Sequence, residues 1–206
     1  MKSAVDAPAI GEHPLDGCGF PSAVRADVWR LYGRYSGWLL LKAVLHQRFF
    51  RPGFAYRLFR ACMDWPVLAR VPVQLALRLL HRRMTARRCM QFPLECASIG
   101  PGLLLIHSYG LLVNGRARIG SNVTLLHHVT IGGARGVAPS LGDNVTVADG
   151  GIVIGAVAIG PGATIGAGAV VSEDVPPLAV MTGNPASLAR YDTAPRTSNA
   201  APLDPS

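Results

Sequence analysis

Two histidines and an aspartate recur at matched places in this chain. His107 stands two residues past Leu105, His127 two past Leu125 and Asp149 two past Val147; Ala167, two past Ile165, continues the series. Imidazole can take up and return a proton near neutral pH, which is the work of a general base. Three such places in succession are unexpected on turns, where Gly and Asn are the usual residues. His107 is therefore read as the catalytic base. His127 shares that reading, with a solvated turn pair formed with His128 as its alternative. Asp149 is either part of the same chemistry or a turn residue.

These positions have meaning because of the elements that carry them. From Ile99 to Val171 an Ile, Leu or Val falls every six residues: Ile99, Leu105 and Leu111, then Ile119, Leu125 and Ile131, then Leu141, Val147 and Val153, then Ile159, Ile165 and Val171. Gly follows six of these anchors, and small or β-branched residues (Val123, Val129, Val145, Val157, Ala163, Ala169, Val175) stand four places after most of them. A fixed short period of this kind marks a parallel β-helix, one strand and one turn per repeat. Three hexads make one triangular coil, and coils stack about 4.8 Å apart. His107, His127, Asp149 and Ala167 then form a ladder on one edge of the prism. Two insertions break the beat, at Asn114-Gly115 and from Gly133 to Ser140; the second leaves the prism as a loop.

Ahead of the repeats the pattern changes. Residues 1–21 read as a flexible leader. Residues 22–90 read as a basic helical domain: Ser22 caps a helix running through Asp27 and Tyr32, Pro52-Gly53 breaks the chain, and further helices cover Phe54 to Cys62 and Val73 to Arg87. Between Arg25 and Arg88 lie fourteen Lys or Arg against two acids, so the net charge of +8 belongs to this part. The amphipathic Val73 to Arg87 segment packs its apolar stripe on its neighbours, the preferred reading. The other reading is peripheral contact with an acidic membrane surface. The longest apolar run, Trp38 to Leu45, is interrupted by Lys42 and is too short to span a bilayer. No secretory signal is evident. Cys18, Cys62, Cys89 and Cys96 have no metal spacing, which fits reduced thiols in a cytoplasmic protein. The basic residues form no nucleic-acid-binding motif. The β-helix is assigned to 91–190, and 191–206, rich in Ala, Pro, Thr and Ser, reads as a disordered tail.

The stretches Ile99-Gly-Pro-Gly-Leu-Leu-Leu-Ile-His107-Ser-Tyr-Gly110 and Ala117-Arg-Ile-Gly-Ser-Asn-Val-Thr-Leu-Leu-His-His-Val-Thr-Ile-Gly-Gly133 resemble the serine acetyltransferases. The anchor spacing, Ile165 to Val171, Val175-Pro-Pro and Gly183-Asn-Pro-Ala resemble them too. The helical stretch with Asp27, Pro52-Gly53 and Tyr56-Arg57 is similar to the serine-acetyltransferase-like enzymes of surface polysaccharide clusters. The resemblance implies an α+β chain, a helical region followed by a left-handed parallel β-helix, assembled as a homotrimer or a dimer of trimers. It also implies acetyl-CoA as co-substrate, lying along the ladder edge against Gly133, Asp149, Gly166 and Ala167, with the Ala134 to Pro139 loop closing over it and no metal. His107 would deprotonate the acceptor hydroxyl for direct attack on the thioester, with backbone N–H groups near Gly133 as oxyanion donors. Tyr109, His128 and Arg135 would meet the acceptor.

The chain departs from that family at three places. Phe92 stands where the family has the Asp that orients the catalytic His; Glu95 is the acid nearest to hand for that task. Val137 and Ala138 stand where the family has an Arg-His pair that holds the amino acid. An uncharged sugar or glycan hydroxyl therefore becomes the expected acceptor, with serine O-acetylation in cysteine synthesis as the alternative. A non-catalytic assembly protein and a three-histidine zinc lyase complete the readings.

Overall fold

The computed structural model describes residues 19–95, 98–133 and 136–202. Most of the leader, residues 1–18, lies outside the described residues, as do Cys96, Ala134 and Arg135.

Four helices precede the repeats. α1 (Phe20–Tyr32) starts two residues before Ser22, with Gly19 as its cap and Pro21 in its first turn. The Ser22 hydroxyl instead donates to the Gly19 carbonyl at 2.8 Å. Gly33, in left-handed backbone at φ +67°, ends the helix. α2 (Gly37–His46) is capped by the Ser36 side chain. α3 (Phe50–Ala61) contains Pro52-Gly53, which therefore does not break the chain. A proline in the first helical turn loses no intrahelical bond, since those N–H groups have no partner. α4 (Val67–Ala86) runs through Pro72. The bond lost there would have engaged the carbonyl of Leu68, a residue 92% exposed, so water can replace it.

The repeats build a three-faced parallel solenoid. Its first face is β1 (Ser98–Ile99), β4 (Arg118–Ile119), β7 (Ser140–Leu141) and β10 (Ala158–Ile159). The second is β2 (Leu104–Leu105), β5 (Thr124–Leu125), β8 (Thr146–Val147) and β11 (Thr164–Ile165). The third is β3 (Leu112–Val113), β6 (Thr130–Gly132), β9 (Ile152–Ile154) and β12 (Val170–Val171). The anchors stack in register up the first two faces, as Leu105, Leu125, Val147 and Ile165 do on the second. On the third, Val113 and not the expected Leu111 pairs with Ile131, both being buried. They fill one continuous core. Coils pass so closely at the first corner that a Cβ on Gly100 would lie 2.7 Å from the Gly120 backbone. The two insertions fall at different corners. Val113 pairs with Ile131, so the two-residue excess expected at Asn114-Gly115 lies instead between Leu105 and Val113, at the corner between the second and third faces. Gly133 to Ser140 lies between the third and first.

The solenoid continues past Val171. Val175 bridges to Ile159, and β13 (Ala179–Thr182) adds to the second face. β14 (Ser187–Tyr191) then returns antiparallel. The expected disordered tail is instead packed back along the prism through residue 202. Ala201 is buried and exchanges hydrogen bonds with the Asn122 side chain, at 3.0 and 3.3 Å, while the Thr197 hydroxyl donates to Asn144 at 3.1 Å. Low-complexity composition gave no sign of these long-range contacts.

A buried ion pair joins helices to prism. Asp27 on α1 and Arg57 on α3 meet at 3.0 Å, both buried. Arg57 also donates to the carbonyls of Ile99 and Gly100, at 2.5 and 2.6 Å, and Asp27 accepts from the Leu103 N–H at 2.9 Å. Burial raises the Asp27 pKa against the opposing pull of Arg57. Arg30 bonds the Gly102 carbonyl, the Thr124 hydroxyl and the carbonyl of Ser198; burial brings its pKa down to about 10. α4 buries only His81 and Thr85 fully and leaves Val67, Leu68, Val71, Leu75, Leu79 and Leu80 exposed. Leu77 and Met84, on the face of His81 and Thr85, pack against the core, so the expected packing holds for that face alone and the remaining apolar residues of α4 stay exposed. No helix among the described residues is long and apolar enough to cross a membrane.

Removing one partner of a buried ion pair leaves the other charge uncompensated. Arg57→Met should cost about 3–5 kcal/mol in urea unfolding, and Asp27→Asn in the same chain should recover part of it. His81 donates from Nε2 to the Phe92 carbonyl at 2.5 Å, and its burial holds the pKa below the ordinary 6.5. A histidine so depressed gives stability that is present above the unfolded value and lost as pH falls through it. The melting temperature should therefore fall less between about pH 7 and pH 5 in His81→Gln than in the unaltered protein.

Candidate active site

The corner between the second and third faces carries the expected ladder. Because Leu125, Val147 and Ile165 are in register, His127, Asp149 and Ala167 follow one above another. In the coil below, two extra residues widen the same turn, which brings both His107 and Tyr109 to this corner, with Tyr109 directly beneath His127. Backbone bonds fix the rungs: Gly150 N–H to the His127 carbonyl and Gly168 N–H to that of Asp149, both at 2.9 Å. Tyr109 and His128 belong to the same corner, the His128 N–H donating to the Tyr109 carbonyl at 2.7 Å. Gly110, without a side chain, leaves room for the His128 ring.

His107 is exposed and sits in left-handed backbone at φ +46°. Asn occupies that conformation at Asn122 and Asn144, on the preceding corner. A histidine in its place costs about 1–3 kcal/mol of backbone strain, an outlier that points to use of its side chain. The imidazole is held by aromatic edges: its centroid lies 5.6 Å from that of Phe49, which lies 5.6 Å from Tyr109.

His127 meets Asp149 one coil up, Nδ1 to Oδ1 at 2.6 Å. Both side chains are about two-fifths exposed, so the pair adds about 0–1 kcal/mol to stability. Its larger effect is orientation. A carboxylate this near Nδ1 favours the tautomer with its proton there, which leaves Nε2 as the basic nitrogen. Asp149, expected against the cofactor, is thus first a partner of His127.

Other expected residues lie elsewhere. The Glu95 carboxylate bonds Arg78 at 2.6 Å on the surface and does not orient His107. Gly133 is at the corner between the third and first faces, stacked on Asn114: a Cβ there would come 2.7 Å from the Asn114 amide nitrogen. The loop it begins is tied to the same corner by Arg116, which donates to the Gly136 carbonyl at 2.5 Å. Within one chain, then, Gly133 and the loop's tie at Gly136 belong to a corner other than that of His107. Gly166 is closed off by β13, since a Cβ there would lie 3.0 Å from the Met181 carbonyl. Ala167 and Gly168 are exposed, and a Cβ on Gly168 would meet nothing within 4 Å, which leaves an open rail above Asp149. Arg135 lies outside the described residues. Sequence reasoning missed Phe49, and Arg88, whose guanidinium lies 5.7 Å over the Phe49 ring. Their only signal was the density of Arg and aromatics before the repeats.

No protein-family signature matches the chain. The soybean serine acetyltransferase apoenzyme is 34% identical with a TM-score of 0.67, over 82% of this chain and 69% of that one. The Brucella abortus serine acetyltransferase in complex with coenzyme A is 26% identical with a TM-score of 0.69, over 85% and 69%. The mitochondrial serine acetyltransferase 3 of Arabidopsis thaliana is 41% identical over 110 residues, which are 52% of this chain and 28% of that protein. The chain thus spans less than a third of that curated relative's length. Fold and corner together define a hexapeptide-repeat parallel β-helix protein preceded by helices. Within that class, the chain belongs to the serine acetyltransferase family.

The His127–Asp149 contact predicts a single His127 tautomer. Long-range ¹H–¹⁵N NMR of the imidazoles should show Nδ1 protonated and Nε2 bare, changing to a mixture in Asp149→Ala. A mixture already present before substitution would refute the pairing.

Proposed function

We propose that this chain is an acetyl-CoA-dependent O-acetyltransferase whose acceptor is L-serine. One observation carries the reading: an exposed, backbone-strained His107 at the corner of a solenoid whose named relatives are serine acetyltransferases. Those relatives support serine over the sugar or glycan hydroxyl expected from the sequence, and the affiliation with polysaccharide-cluster enzymes is not retained.

The open rail at Ala167 and Gly168 suits an extended pantetheine arm, and one solved relative is a complex with coenzyme A. Acetyl-CoA, when bound, supplies an activated acetyl thioester. The unprotonated His107 imidazole accepts the proton of the serine hydroxyl as that oxygen bonds to the acetyl carbon. His107 then returns the proton to the departing sulfur. Phe49, itself packed against Tyr109, meets the ring edge-to-face through both transfers. His127, with Nδ1 tied to Asp149, offers Nε2 to the same corner as a hydrogen-bonding group. No acyl-enzyme is needed, because the base acts on the acceptor itself.

The homotrimer belongs to the same reading. The loop beginning at Gly133 leaves a corner other than the ladder's, so it reaches a ladder only from a neighbouring copy. The exposed α4 stripe offers apolar surface to such a neighbour.

Purified protein should release thiol from acetyl-CoA in a serine-dependent reaction. His107→Ala should slow that reaction about 10²- to 10⁴-fold. Release that ignores serine, or survives His107→Ala unchanged, would sink the reading.

A further inference from the structure

Phe49 has His107 and Tyr109 at its edges and a cation on its face. The Arg88 guanidinium carbon lies 5.7 Å from the Phe49 centroid, and that ring lies 5.6 Å from both His107 and Tyr109. The Arg88 backbone is pinned to the same turn, its carbonyl accepting from the Gly110 N–H at 3.0 Å. Arg88 is thus one aromatic ring away from the base.

Its charge has no answer within the described chain. Nη1 of Arg88 is buried and has no hydrogen-bond partner among the described residues. The groups that face it electrostatically are Tyr109, Arg48 and Arg51, and no carboxylate is among them. Burial and the two neighbouring arginines hold its pKa down. Arg51 is engaged with the carbonyls of Val44, at 2.8 Å, and Leu45. Arg48 is exposed. A buried guanidinium N–H left unbonded costs free energy, and crowding three cations adds to that cost. Both costs are relieved by an anion that accepts from Arg88. A guanidinium fork matches a carboxylate in shape and charge.

We propose that Arg88, with Arg48 beside it, is the anion-recognition half of the acceptor site and takes the acceptor's carboxylate. The proposal rests on the reading of serine as acceptor and names the group that selects it. The phosphates of coenzyme A are the other anions in the reaction. They lie a full pantetheine arm from the thioester sulfur, whereas Arg88 is separated from the base by a single ring. The acceptor is the substrate that must sit at the base.

The test compares L-serine with L-serinamide, in which a neutral amide replaces the carboxylate. With the unaltered protein, L-serine should bind by calorimetry roughly 10- to 100-fold more tightly than L-serinamide, the worth of a charge-assisted hydrogen bond. Arg88→Gln should abolish that preference and raise KM for serine by a similar factor, with KM for acetyl-CoA unchanged; Arg88→Lys should restore part of it. Equal binding of the two acceptors by the unaltered protein overturns the proposal without any variant having to fold. So does an Arg88→Gln effect confined to acetyl-CoA, which would assign the cation to the cofactor's phosphates. Carboxylate-selective binding that needs Arg88, but with no His107-dependent serine turnover, would uphold the anion site and overturn serine as the acceptor.

Discussion

The Asp27–Arg57 pair is the contact on which the arrangement of this protein depends. A solenoid end is an open sheet edge with unpaired backbone groups, and something must cover it. Here α1 and α3 do so with charged side chains. Arg57 satisfies the carbonyls of Ile99 and Gly100, and Asp27 satisfies the Leu103 N–H. Each also neutralises the other, which is what makes two buried charges tolerable. The clamp fixes α3 against the first coil, beside Leu103. Phe49, one residue ahead of α3, is thereby set beside His107. The His107 ring meets an aromatic residue whose place is decided by contacts farther along the helix.

The corner chemistry follows from a second constraint, the register of the solenoid. Each coil puts one residue at the same height on the same edge, so a ladder is a column of independent choices. The lower rungs are imidazoles, then comes a carboxylate, then small residues. Under the proposed function, that order places the base at the helical end, a second imidazole beside a carboxylate above it, and the rail for the pantetheine arm beyond. The same register sends the loop beginning at Gly133 to a different corner, which is why the proposed function joins the site to assembly.

Much of this was legible in the residues. The hexad beat sets three faces because each anchor must point inward, and insertions that break the beat have no inward residue to offer. The ladder followed by counting from Leu105, Leu125, Val147 and Ile165. Helix bounds were less legible: Pro52-Gly53 and Pro72 look like breaks, yet one sits in a first turn and the other above a solvent-facing carbonyl. The tail reads as disordered because its composition is poor, but Asn122 and Ala201 are distant in sequence and no local pattern links them. Glu95 looked available to His107 by proximity in sequence; Arg78, on α4, claims it.

The sequence by itself determined the three-faced solenoid and the edge on which His107, His127 and Asp149 stand, because a short period leaves few ways to bury the anchors. It did not determine where the solenoid ends or that Val113 takes the third-face place of the first coil. Only the tertiary structure decided which groups meet. It joined Asp149 to His127, seated Phe49 against His107 and brought Arg88 over Phe49 from beyond the end of α4. Those contacts depend on how helices dock on a prism, through buried charges and aromatic edges far apart in the chain. Periodicity fixes where a side chain points and says nothing of what arrives from another element.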